Sequence, residues 1–195
     1  MSVIRVENLN KSIKGKGILE DLSFTVERGD CLAFIGPNGA GKTTLMDCLL
    51  GDRKVTSGII KIEGKAPGHP QLKDSVSYLP QENAIVQKLT VQELISFFRS
   101  IYPNPLTVND IDDLLRFTPE QKKQLASKLS GGQKRLLSFV LTLIGRPSLL
   151  FLDEPTAAMD TSTRQRFLGD RRAFKGPRCD YSLFFPLHRG SRAYS

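Results

Sequence analysis

Between Val3 and Ile35 apolar and polar residues alternate in short runs. Val3, Ile4 and Val6 open one run, and Leu22, Phe24 and Val26 alternate with Ser23, Thr25 and Glu27. A period of two marks half-buried strands. Arg28-Gly29-Asp30 is a turn signal and predicts a hairpin into the apolar run Cys31 to Ile35. Such a continuous run suits a strand of a parallel sheet, buried on both faces. A glycine-rich loop from Gly36 to Gly41 leads into a predicted helix from Lys42 to about Leu50. Gly58–Gly64 reads as a second hairpin-like region, and Val76–Leu79 as another short strand.

The period changes at Pro80. Leu89 to Tyr102 has helical spacing, with Thr90 as N-cap and Glu93 three residues on, a capping-box pattern. Pro103 and Pro105 close that helix, and Val108–Phe117 and Pro119–Leu129 also read as helical. Ser130-Gly-Gly-Gln133 opens an apolar helix to Ile144, and Ser148–Leu152 is a buried strand ending in Asp153-Glu154. This order predicts an α/β core with an N-terminal antiparallel β subdomain and an α-helical insert. The expected boundaries are a core of 1–81 and 147–166, a helical subdomain of 82–146, and an irregular tail of 167–195.

The chain has 195 residues, 39% hydrophobic and 25% charged, so it is neither a disordered tail nor a membrane protein. Its longest nearly apolar stretch, Leu136–Ile144, is too short for the roughly 20 residues of a membrane span. Work at a bilayer therefore needs separate membrane subunits. The opening Met1 to Glu7 lacks a signal-peptide pattern, and Cys31, Cys48 and Cys179 have neither metal nor redox spacing. The cytoplasm is the expected compartment. Net charge is +8, but residues 167–195, with six Lys/Arg and two Asp, carry half of it. The body is only mildly basic, and no nucleic-acid partner is expected.

Gly36-Pro37-Asn38-Gly39-Ala40-Gly41-Lys42-Thr43 matches the phosphate-loop pattern G-x-x-x-x-G-K-[ST], with Thr44 following. Its glycines let backbone N–H groups turn inward around an anion, and the next helix presents its N-terminus to the same phosphates. Lys42 reaches the β/γ-phosphates and Thr43 offers a hydroxyl to Mg²⁺. Asp153 and Glu154 end a buried strand at the edge where α/β sheets hold ligands. Asp153 suits Mg²⁺, and Glu154 suits polarising a water that attacks the γ-phosphate.

Leu129-Ser130-Gly131-Gly132-Gln133, set between these motifs, resembles the signature sequence of ATP-binding cassette (ABC) transporter ATPases. Gln81, after Tyr78-Leu-Pro80, looks like the family's Q-loop glutamine, and Ala157-Ala-Met-Asp160 like its D-loop. The resemblance spans about residues 3–167, with five motifs in order. It implies an ATP-dependent head-to-tail dimer, in which ATP on one phosphate loop is closed over by Ser130, Gly131 and Gly132 of the other chain. Gln81 would sense Mg²⁺ and the attacking water. Transmembrane permease subunits would dock near the helical insert, placing the chain on the inner face of the membrane. Residues Gln81–Phe98 look like those of bacterial exporters. GTPases and small-molecule kinases share the phosphate loop but do not predict Leu129–Gln133 or the insert.

Two departures stand against the family pattern. Ile13 lies where an aromatic usually stacks on adenine. Pro186 stands where the family's γ-phosphate histidine is expected, and a proline is foreign to a central strand. His188 reads as a solvated tail residue and His69 as a loop residue. One nucleotide deleted at Phe167–Leu168, with codons chosen freely, allows the tail to read as a helix, a strand and a histidine in place of Pro186. The tail is therefore expected to be aberrant or frameshifted. The alternative to an active ATPase is a truncated, non-catalytic nucleotide-binding remnant.

Overall fold

A computed structural model describes residues 2–35, 39–81, 88–153 and 182–187. β1 (Ser2–Ile13) and β2 (Lys16–Glu27) form an antiparallel hairpin. Its two-residue loop, Lys14 and Gly15, has φ of 50° and 79°. Positive φ at both positions is the type I′ geometry that matches strand twist. β4 (Ser57–Ile62) pairs with the other side of β1, giving a three-stranded sheet of order β2-β1-β4.

The hairpin expected at Arg28–Asp30 does not form. After β2 the chain leaves this sheet, and β3 (Cys31–Ile35) joins a second, parallel one. The local turn signal was genuine, since Asp30 N–H donates to the Glu27 carbonyl at 3.1 Å, but it redirects the chain between sheets. The hairpin-like reading of Gly58–Gly64 holds only at its end, where Glu63-Gly64 turns the chain back for a single bridge. The segment before that turn is one strand, β4, closed by the bridge between Ile62 and Lys65.

The parallel sheet has the order β3-β7-β6-β5, where β5 is Val76–Leu79, β6 is Leu149–Leu152 and β7 is Ser182–Leu187. Part of the stretch expected to be irregular is thus a strand between two others. Its ladder to β6 stops at Phe184, opposite Phe151. Pro186, opposite Phe34 of β3, lies beyond that ladder, so its missing N–H falls outside the β6 pairing.

β6 divides the interior. Leu150 and Leu152 pack into one core with Leu79, Val91, Leu94, Ile111 and Leu137. Leu149 and Phe151 point the other way, into a core with Ile4, Val6, Leu45, Leu49 and Ile62. All four β6 residues are buried, as period-two side chains on a doubly covered strand must be.

The first core is roofed by α2 (Val91–Ile101), α3 (Val108–Leu115), α4 (Pro119–Lys123) and α5 (Gly131–Leu143). The helix expected over Pro119–Leu129 is shorter, because Gln124 is extended and a 3₁₀ turn at Ala126–Lys128 follows. Each of α2 to α5 starts with a Thr or Ser capping box. At α2, Glu93 accepts from the Thr90 backbone N–H at 2.8 Å and from its hydroxyl at 2.7 Å. These bonds, the backbone one foremost, hold the Glu93 carboxyl below its ordinary value of 4.5. A carboxyl with a depressed folded-state pKa contributes stability above the unfolded value, and that contribution vanishes as pH falls through the folded one. Thr90→Ala keeps the foremost, backbone bond and removes the hydroxyl one, so it should raise the Glu93 titration midpoint part of the way toward 4.5, measured by carbon-detected NMR. A midpoint unchanged by the substitution would contradict the hydroxyl's share in the cap.

Candidate functional site

Because β3, β7, β6 and β5 run parallel and in register, Ile35, Leu187, Leu152 and Leu79 all end at one edge of the sheet. The phosphate loop leaves from that edge, and so do Gln81 and Asp153. Gly36, Pro37 and Asn38 lie outside the described residues, as do Glu154 and Ala157–Asp160. Gly39 and Ala40 are exposed, Lys42 and Thr44 half-buried, and Thr43 exposed.

α1 (Lys42–Leu50) anchors the loop by burying Leu45, Met46, Cys48 and Leu49. Its N-cap is Gly41 at φ 84°, with no side-chain cap. Among the described residues it is the one α-helix that starts without a capping side chain. A helix start without a capping side chain, with the helix dipole's positive end there, favours an anion. Positive φ at Gly39 and Gly41 suits a loop whose amides turn inward. The donor set fits a polyphosphate.

Gly41 is tightly confined. A Cβ there would lie 2.9 Å from Leu19 Cδ2 and 3.1 Å from the Ile18 carbonyl. Gly41→Ala adds this crowding to an αL penalty of roughly 1–2 kcal/mol. A lower melting temperature and weaker nucleotide binding are expected in the same variant. Wild-type values for both would contradict this geometry.

At the opposite end of the edge, Asp153 N–H donates to the Leu79 carbonyl at 2.9 Å, fixing the ends of β5 and β6 side by side. This brings the exposed Gln81 and the half-buried Asp153 onto neighbouring strand ends. Tyr78 reports the field there. Burial raises its hydroxyl pKa first, then the carboxylates of Asp153 and of Asp47 on α1, while Arg135 opposes them.

Ser130 caps α5. Its hydroxyl accepts from Gln133 N–H at 3.2 Å, and Gln133 Oε1 accepts from Ser130 N–H at 2.9 Å. Gly131 is exposed and Gly132 buried. The Ser130 and Gln133 side chains are thus engaged in the cap, and the glycine amides form the first turn. Ile13 is half-buried on β1. Sequence reasoning missed Arg135, a fully buried cation on α5 that bonds to the backbone of Pro80, Gln81 and Asp153. A basic residue beside an exposed helix start reads as surface, so no signal in the sequence separated it.

Among the described residues no helix is long and apolar enough to cross a membrane. A sequence profile of the family described as ABC transporter matches residues 19–157. The ABC transporter ATP-binding protein YtrB of Bacillus subtilis (strain 168) is 37% identical over 169 residues, 85% of this chain and 57% of its own length. The SkfA peptide export ATP-binding protein SkfE of the same organism is 35% identical, over 85% of this chain and 71% of its own. A bacterial Atm1-family ABC exporter with ATP bound superposes with a TM-score of 0.77 at 27% identity, over 95% of this chain and 34% of that one. The chain spans a little over half the length of YtrB. From the two cores, the edge where the motifs meet and these matches together, the chain belongs to the ABC transporter ATP-binding family.

Proposed function

We propose that the chain binds ATP with Mg²⁺ at Gly36–Thr44 and hydrolyses it to ADP and phosphate, driving transport by separate transmembrane permease subunits. The observation that carries this reading is the uncapped start of α1 at the sheet edge that also bears Gln81 and Asp153. Lys42, first in α1, would pair with the β/γ-phosphates, and Thr43, Gln81 and Asp153 would hold Mg²⁺. When bound, Mg²⁺ neutralises charge on the β- and γ-oxygens. Glu154 would then take a proton from the attacking water.

Family membership and the ATP bound in the Atm1-family exporter support ATP as the nucleotide. They also support an ATP-dependent dimer with Ser130, Gly131, Gly132 and Gln133 across the joint, and a cytoplasmic chain peripheral to the membrane.

The second reading, a non-catalytic remnant, is favoured by Pro186 in β7, where the γ-phosphate histidine was expected. Loss of such a contact costs on the order of 10²-fold or more in rate. A frameshift upstream of β7 accounts for that substitution, and the coding DNA decides it. Codons incompatible with the alternative frame after Phe167 would end that explanation.

The test of the main reading is steady-state hydrolysis of Mg²⁺-ATP by the purified chain, beside Lys42→Ala. The wild type should turn over. The variant should bind roughly 10- to 100-fold more weakly, the value of a charged hydrogen bond. ATP binding without turnover in the wild type would favour the remnant.

A further inference from the structure

Arg135 is fully buried, although a buried cation is costly unless polar partners surround it. Among the described residues, it bonds to the backbone of two other segments. Nη1 donates to the carbonyls of Pro80 at 2.5 Å and Gln81 at 3.3 Å. Nη2 donates to the carbonyl of Asp153 at 2.5 Å. The guanidinium therefore clamps the backbone at two of the three residues proposed to hold Mg²⁺, Gln81 and Asp153. The helix that carries it begins at the Ser130 cap, five residues earlier, about 7–8 Å along the axis. Between those points α5 is continuous helix, with Leu136 and Leu137 buried just beyond Arg135.

We propose that Arg135 is a positioning residue that couples the metal edge to the glycine-bearing start of α5. A shift of the Gln81 or Asp153 backbone moves the guanidinium. The guanidinium moves α5, and with it the Gly131 and Gly132 amides that would close on the partner's nucleotide. This rests on the ATPase reading above. Three carbonyls from two directions need a planar fork of several donors, whereas lysine offers one point of attachment on a flexible stem. Arg135→Lys keeps the charge and loses the fork.

The experiment compares wild type, Arg135→Lys and Arg135→Gln by thermal melt, nucleotide titration, steady-state kinetics and backbone hydrogen exchange without nucleotide. Both variants should fold and bind ATP within about threefold of wild type, because the phosphate loop is untouched. In both, kcat should fall on the order of 10- to 100-fold, as expected for misplaced groups. Exchange at Gly131, Gly132 and Gln133 should quicken together with exchange at Gln81. Unfolded variants would make Arg135 a stability residue only and overturn the proposal. So would a kcat that persists in the lysine variant, or exchange at 131–133 that matches wild type. A wild type that fails to hydrolyse ATP refutes the ATPase reading instead. The exchange comparison then still decides whether Arg135 ties the two segments together.

Discussion

Glu154→Gln will leave ATP binding intact and slow hydrolysis on the order of 100-fold or more, the usual worth of a positioned general base. The structure fixes the strand that delivers this residue. Leu149–Leu152 are buried on both faces, and Asp153 is tied by its N–H to Leu79 and by its carbonyl to Arg135. The chain therefore leaves β6 at one defined place, on the edge shared with Gln81. Glutamine keeps the size and one acceptor oxygen but cannot take a proton at neutral pH. In the proposed function the phosphate contacts would come from the other end of the edge, from Gly41 and Lys42 at the start of α1. Rate and affinity should therefore separate. Single-turnover hydrolysis and an ATP titration on the same preparation measure this. Equal rates in wild type and variant, with both binding ATP, would remove Glu154 from the chemistry.

Ending the chain after Tyr181 will unfold it. β7 pairs with β3 at five positions, from Cys31↔Leu183 to Ile35↔Leu187, and with β6 at three. In the four-strand order β3 touches no other strand of its sheet. Without β7 the strand that leads into the phosphate loop is separated from the strand that leads into Asp153. Each lost backbone hydrogen bond contributes about 1 kcal/mol net. β6, buried along its whole length in the full chain, loses its neighbour on that side as well. Total stabilities are only about 5–15 kcal/mol. Far-UV circular dichroism and a thermal melt of residues 1–181 beside the full chain give the answer. A cooperative melt within a few degrees of the full chain would mean that β7 does not hold the sheet together.

What was legible in the sequence follows from how local each signal is. Thr90 and Glu93 sit three residues apart, and the box they predict forms. Cys31–Ile35 and Ser148–Leu152 read as buried strands because apolar runs bounded by turns leave little alternative, and both segments pair in the parallel sheet. Pairing partners were harder. Lys14-Gly15 closes the first hairpin with a lysine at positive φ, a position usually given to Asn, Asp or Gly, while Arg28-Gly29-Asp30 carried the stronger turn chemistry. Pro186 argued against a strand by a rule about amide donors. That rule has no force on the β6 side, where the ladder has already stopped at Phe184, and Pro186 pairs with β3 alone. Arg135 bonds to carbonyls 18 to 55 residues away, and no periodicity encodes such a contact.

The central claim is that polyphosphate binds the amides around Lys42, and calorimetric titration of the folded chain with Mg²⁺-ATP tests it most directly. The account predicts saturable binding near one nucleotide per chain, weakened by both Lys42→Ala and Gly41→Ala. A folded chain that takes up no heat-detectable ATP at millimolar nucleotide, and whose melting temperature does not rise with added ATP, would contradict it.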